Sequence, residues 1–360
     1  MTRINVVYQN NNMPGDILPD MVADDSSYTV VWSRAPQPGV DAVVYFNHYT
    51  FNRRKHDRIC PDALKILYIY EPAAVDPIQY TRRIWEQFDE VLTWNTYLTE
   101  SSPAFTFEAG AYYDLPYPVD YGVAPPDALP DPSAREKALC QICSDKYSIA
   151  PGELYSERRR VARWFHQHGV TRMDVFGLRP MNTPNYRGLC RKRETLSRYR
   201  YALCFENTYH PQWSRGYVSE KIFDCMALGV VPVYYGCSNV AERIPETCFI
   251  DFRNFDTLDE LDTLLQEMSD EEYLERVDNM AAFFQQYNPP QRHSVHRMYE
   301  TVAALLQSPR PRPETARTWP PDFQAVSTWS GNMRFALIRA TLPYYSHCYK
   351  IFDILRFLKR

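Results

Sequence analysis

The run Tyr201-Ala202-Leu203-Cys204-Phe205 closes on a polar pair, Glu206-Asn207, and then gives way to a loop of aromatic and polar residues, Thr208 to Arg215. Ala202 to Phe205 is uninterrupted and apolar, as a buried strand is. Gly216-Tyr217-Val218-Ser219-Glu220-Lys221 follows, and Gly216 opens a helical pattern in which Ile222, Met226 and Gly229 share one face. Two carboxylates, an amide and a lysine are thus delivered to one strand-loop-helix junction. In open α/β sheets such a junction, at the carboxyl end of a strand, is where ligands bind. A helix N-terminus there favours an anion through its free N–H groups and its dipole, and Lys221 adds a point charge.

The remainder of the chain repeats this theme. At 360 residues, with 45% hydrophobic and 14% aromatic content, it has material for about two domains with ample cores. Asn5 to Tyr8, Thr29 to Trp32, Ala42 to Phe46, Leu64 to Tyr70 and Glu90 to Trp94 read as strands, and Pro77 to Phe88 as a helix. Val123 to Pro132 is acidic and rich in proline, a linker by composition. Beyond it, Ala138 to Ser144, Met173 to Phe176, Val230 to Tyr235 and Phe249 to Phe252 read as strands. Glu153 to His168, Tyr217 to Leu228, Asp256 to Met268 and Glu271 to Tyr287 read as helices. Strands alternating with helices argue for parallel sheets covered on both faces. The expected fold is therefore α/β, two Rossmann-like domains facing a cleft. Residues 1–132 form an acceptor-binding domain, 133–308 a nucleotide-sugar-binding domain, and 309–360 a linker with an amphipathic basic tail.

Several function classes recede on composition and motif. A net charge of −4 gives no case for nucleic acid as a partner. Neither a Gly-x-Gly-x-x-Gly nor a Gly-x-x-x-x-Gly-Lys-Ser/Thr pattern occurs. Cys140-x-x-Cys143 has no second pair to complete a zinc site and falls in a strand pattern. Nine scattered cysteines, an odd count with no spaced framework, favour reduced thiols and a cytoplasmic setting. The amino terminus begins directly on a strand, with no apolar stretch of signal-peptide or transmembrane length. From Gly331 to Arg360 six basic residues stand against Asp353, a net of +5 that leaves −9 for the rest. Within that tail Phe335 to Leu358 is aromatic, apolar and basic. Two readings stay open for it: peripheral contact with the inner face of a membrane, or a helix packed on the first domain.

Glu71 ends the apolar run Leu64 to Tyr70 and precedes Pro72. A carboxylate at that edge is partly desolvated and hence a better base. The alternative is a loop carboxylate bonded to nearby backbone. Arg158-Arg159-Arg160 lies near the start of a helix, and Arg191-Lys192-Arg193 on a short helix that reads as surface.

Phe205-Glu206-Asn207, Tyr217-Val218-Ser219-Glu220-Lys221 and Val230-Val231-Pro232-Val233-Tyr234-Tyr235-Gly236 together resemble the α-1,3-fucosyltransferase family, glycosyltransferase family 10, across Tyr199 to Phe252. The family shows these three motifs in this order, with Thr where Ser219 stands. It also resembles Ser156-Glu157-Arg158 with Met173-Asp174-Val175-Phe176-Gly177, and the strand that runs into Glu71. The resemblance implies a glycosyltransferase-B architecture and an inverting transfer of L-fucose from GDP-fucose to a hydroxyl of a glycan or lipid-linked oligosaccharide. It implies an α-1,3 linkage to a GlcNAc- or glucose-type residue. By it Glu71 is the general base, and Arg158 and Lys221 hold the diphosphate. Glu220 takes the ribose hydroxyls, Glu206 and Asn207 lie near the fucose, and Tyr217 packs at the nucleotide. No cofactor or metal is required, a divalent ion being at most a stimulant. Two other readings remain: a transferase of the same architecture using another nucleotide sugar, and a non-catalytic binding module.

Overall fold

The computed structural model describes residues 1–7, 27–47, 53–107, 131, 134–148, 150–286, 294–307, 319–321 and 323. These fall into two units. One takes residues 1–107, 150–151 and everything described from 294 on; the other takes 131–148 and 152–286. The linker Val123 to Pro132, apart from Asp131, and the tail Phe335 to Leu358 lie outside the described residues.

The first unit is built on six strands: β1 (Thr2–Val7), β2 (Tyr28–Ser33), β3 (Ala42–Phe46), β4 (Leu64–Ile69), β5 (Glu90–Thr93) and β6 (Phe105–Phe107). They form one sheet in the order β2-β1-β3-β4-β5-β6, every pair parallel. All five residues of β3 are buried, as its unbroken apolar run requires in a sheet covered on both faces. Short helices α1 (Arg53–Ile59), α2 (Arg82–Trp85) and α3 (Thr96–Ser101) fill the connections.

The single helix expected over Pro77 to Phe88 is broken. A 3-10 turn spans Pro77–Tyr80, and Thr81 is extended (φ −132°, ψ 142°) before α2 begins. The side chains explain the break. Gln79 Nε2 and Tyr80 OH both donate to the carbonyl of Glu71, at 2.7 and 2.9 Å, and Trp85 Nε1 donates to the carbonyl of Gln79 at 2.7 Å. The Gln79 and Tyr80 donors serve the chain leaving β4, and Trp85 fastens the turn that carries them, at the expense of a regular helix.

The second unit holds β7 (Glu136–Ile142), α4 (Tyr155–Gln167), β8 (Met173–Phe176), α5 (Lys192–Leu196), β9 (Tyr199–Phe205), α6 (Glu220–Ala227), β10 (Val231–Tyr235), β11 (Ile250–Asp251), α7 (Leu258–Glu267) and α8 (Asp270–Gln286). Its five strands run parallel in the order β11-β10-β9-β7-β8. The expected α/β class with two parallel sheets is the observed one. Helix α6 starts at Glu220 rather than Tyr217, because Ser219 is extended (φ −102°, ψ 178°) and caps the helix, its side chain accepting from Lys221 N–H.

A last helix, α9 (Ser294–Gln307), packs on the first sheet, although its sequence falls in the span expected for the second domain. Met298, Tyr299 and Val302 join the core of β1 to β5, and Trp32 Nε1 donates to Tyr299 OH at 2.6 Å. No helix among the described residues is long and apolar enough to cross a membrane.

Asp262 on α7 caps the chain entering β8. Its carboxylate accepts from the backbone N–H groups of Val170 (2.7 Å) and Thr171 (2.9 Å). Burial pushes this carboxyl's pKa up, but the bonds from Thr171 and Val170 outweigh it and leave the group below its ordinary value. The stabilisation is therefore present above the unfolded-state value, roughly 3.9, and is lost as pH falls through the lower folded-state value. Asp262→Ala should lower stability at pH 7 by about 1–3 kcal/mol in denaturant titration, and the gap to wild type should narrow below about pH 4.

Candidate active site

In the second sheet the chain runs from β7 through α4 to β8 on one side, then returns to place β9 on the other. The crevice between β7 and β9 is thus the switch point of an open α/β sheet. The strands part there. Their pairing extends to Cys140 and Ala202, whereas β7 stays paired with β8 to Ile142 and β9 with β10 to Phe205. A cavity of about 30 Å³ opens at these carboxyl ends, lined by Gln141, Cys143, Arg158, Lys192, Cys204 and Lys221 among others. Three of those side chains are cationic, which favours an anion there, although Lys192 and Lys221 also face carboxylates of the fold.

Glu206 fixes the entry to α6. It is fully buried, and its carboxylate accepts from Ser219 N–H (2.6 Å), Ser219 Oγ (2.6 Å) and Lys221 Nζ (3.2 Å). The Ser219 hydroxyl gives its single proton to Glu206 and in turn accepts from Lys221 Nζ at 2.7 Å. A side chain at position 236 would be impossible here: a Cβ on Gly236 would stand 2.3 Å from Glu206 Cγ. The carboxylate expected beside a sugar is therefore turned inward, onto the first turn of α6.

Lys221 keeps 24% of its side chain exposed and also lies 3.7 Å from Glu220. Burial pushes its pKa down, but the carboxylates of Glu206 and Glu220 more than reverse this, so it stays charged. For Glu220 burial pushes the pKa up, and Lys221 and Lys192 pull it below the ordinary carboxylate value. Lys192 is ion-paired with Asp224 of α6.

Of the three arginines on α4, Arg158 turns to the site. It is 5% exposed, and its Nη2 reaches the carbonyls of Phe205 and Glu206 and Asn207 Oδ1. Every hydrogen bond it makes from its side chain to the described residues runs through Nη2, so Nε and Nη1 remain to meet a ligand. Arg159 pairs instead with Asp145 at 2.8 Å, and Arg160 with Glu157 on the surface. Asn207 joins Arg158 to Tyr217: its Nδ2 donates to Tyr217 OH at 3.3 Å. The structure thus gathers Arg158, Glu206, Asn207, Tyr217, Glu220 and Lys221 around one junction, with Tyr217 buried beneath it.

Glu71 belongs to the other unit, just past β4. Asn47, at the end of β3 with φ 61°, accepts from the N–H groups of Tyr70 (2.9 Å) and Glu71 (2.8 Å). With Gln79 and Tyr80 holding its carbonyl, the Glu71 backbone is pinned on both sides. Asn is among the few residues that tolerate this left-handed conformation, which the sequence around Asn47 does not announce. Lys192 and Gln141 were the other omissions. Lys192 hid in a basic run that reads as surface, and Gln141 in an apolar strand. Among the described residues no group of three or more His, Cys, Asp or Glu side chains is placed to hold a metal, and Cys140 is buried in β7.

Residues 132–300 match the family described as Glycosyltransferase family 10 (fucosyltransferase) C-term. The chain is 43% identical to the alpha-(1,3)-fucosyltransferase FucT of Helicobacter pylori over 68 residues, 18% of this chain and 13% of that protein. It is 29% identical to human alpha-(1,3)-fucosyltransferase 7 over 163 residues, 43% of this chain and 42% of that one. These alignments span well under two thirds of either relative. A crystal structure of an alpha1,3-fucosyltransferase with GDP shares the fold, at TM-score 0.54 and 17% identity, over 86% of this chain and 91% of that one. A UDP-bound alpha-glucosyltransferase shares it at TM-score 0.51 and 9% identity, over 84% and 100%. The fold is thus that of glycosyltransferase-B structures, and residues 132–300, a little under half of the chain, are similar to the C-terminal domain of glycosyltransferase family 10 (fucosyltransferase).

Proposed function

We propose that the protein transfers L-fucose from GDP-fucose to a hydroxyl of a glycan acceptor in one displacement that inverts the anomeric carbon. The observation that carries this reading is the set of three cations, Arg158, Lys192 and Lys221, lining the cavity at the β7/β9 switch point beside the first turn of α6. A leaving nucleoside diphosphate develops negative charge as the glycosidic bond breaks. Preorganised cations stabilise that charge without reorganisation cost. Lys221 and the free nitrogens of Arg158 meet the diphosphate; Lys192 adds to the field. Glu220, held ionised by its lysine neighbours, accepts from the ribose hydroxyls. Glu206 acts by orienting Ser219 and Lys221, and Asn207 sets Arg158 from one side. Glu71 takes the proton of the attacking hydroxyl. An α-1,3 linkage to a GlcNAc- or glucose-type residue suits the family, with a free or lipid-linked oligosaccharide as acceptor.

In this reading protein cations do the work that a metal does in other transferases, a divalent ion being at most a stimulant. Fucose transfer from GDP-fucose to an oligosaccharide panel should therefore survive EDTA. Complete loss restored by a divalent ion would contradict the cation assignment. Lys221→Ala should weaken GDP binding about tenfold to a hundredfold, as loss of a charge-assisted contact does. Calorimetry checks this, with a thermal melt to gauge the cost of leaving Glu206 unpaired; unaltered affinity would remove Lys221 from the site. Glu71→Gln should leave GDP affinity intact while transfer falls by a factor of roughly 10² or more. Turnover near wild type would remove Glu71 as the base.

A further inference from the structure

The wall of the β7/β9 cavity contains a buried amide that the fold only half satisfies. Gln141 on β7 is 1% exposed and lines the cavity with Arg158, Lys192 and Lys221. Its Nε2 lies 3.1 Å from Cys143 Sγ, a weak acceptor. Its Oε1 has no hydrogen-bond partner among the described residues. The preceding residues of the strand, Leu139 and Cys140, are fully buried and apolar in behaviour. A strand interior gains nothing from an amide oxygen left unmet, since burial without a partner costs free energy. A ligand that supplies the missing donor accounts for its presence.

The rest of the cavity narrows what that ligand group is. Arg158, Lys192 and Lys221 are donors only and serve phosphate oxygens. A diphosphate at neutral pH has no proton to offer Gln141. The cavity, about 30 Å³, takes a small polar group such as a hydroxyl at its wall but does not enclose a purine ring. We propose that Gln141 is a further donor-binding residue, its side-chain oxygen accepting a hydrogen bond from a hydroxyl of the nucleotide sugar. This rests on the donor reading given above. The hydroxyl belongs either to the ribose or to the transferred sugar.

Two variants test it, Gln141→Met, which keeps the shape, and Gln141→Leu. Each is titrated calorimetrically with GDP and with GDP-fucose beside the wild type, and each is melted without ligand. The variants should melt at or above the wild-type temperature, because an unmet polar atom has been removed. Affinity should fall about three- to tenfold, the worth of one neutral hydrogen bond. Equal losses for both ligands assign the contact to the ribose, and a loss confined to GDP-fucose assigns it to fucose. Unchanged affinity for both ligands would overturn the proposal, the oxygen then being met by water. A lowered melting temperature in both variants would also overturn it, since the oxygen would have a partner within the fold. A wild-type chain that binds neither ligand would instead overturn the donor reading itself.

Discussion

The contact on which the second unit's site depends is the buried carboxylate of Glu206 with Ser219 and Lys221. It joins the carboxyl end of β9 to the first turn of α6 through three hydrogen bonds, two of them to one residue. A buried carboxylate is tolerable only when paired, and removing one partner of such a pair typically costs about 3–5 kcal/mol. The fold therefore holds Ser219 and Lys221 where they are, and with them the start of the helix. Lys221 serves two masters. It compensates Glu206 and faces the cavity, so an anion bound there competes for a charge that the fold already uses. Arg158 is arranged in the same way, with one nitrogen spent on strand-end oxygens and two left over.

Both sheets follow from parallel strands covered on each face, and in each the chain doubles back after its first two strands. That reversal opens the β7/β9 crevice without any special sequence at the crevice floor. Cys204 and Cys225, with sulfurs 3.3 Å apart, pack there, and the hydrogen-bonding contact with Cys204, with burial after it, raises the Cys225 thiol's pKa well above its ordinary value. The cations are thus set beside buried, uncharged thiols, in surroundings of lower dielectric than water, where their charge is felt more strongly.

Much of this was legible in the sequence. The unbroken apolar run gave β3 residue for residue, because a strand buried on both faces has no polar position to blur its ends. The junction after β9 was legible for the same reason. What the strand-end pair Glu206-Asn207 could not reveal was direction. A carboxylate facing a ligand and one facing a helix have the same sequence; the choice is made by Gly236, distant in the chain, whose missing side chain admits Glu206. The helix over Pro77 to Phe88 failed because Gln79 and Tyr80 answer to the carbonyl of Glu71 outside it, while Trp85 bonds back to the carbonyl of Gln79. Helix α9 shows the limit from the other side: Met298, Val302 and Leu305 mark an apolar face, but nothing local says that it covers the first sheet.

The central claim is that the crevice between β7 and β9 holds a guanine nucleotide diphosphate through protein cations. Calorimetric titration of the chain with GDP, beside UDP and ADP, tests it most directly. The account predicts saturable binding of GDP in preference to the other two, weakening as salt is raised. Equal affinity for all three, or none for GDP, would contradict it.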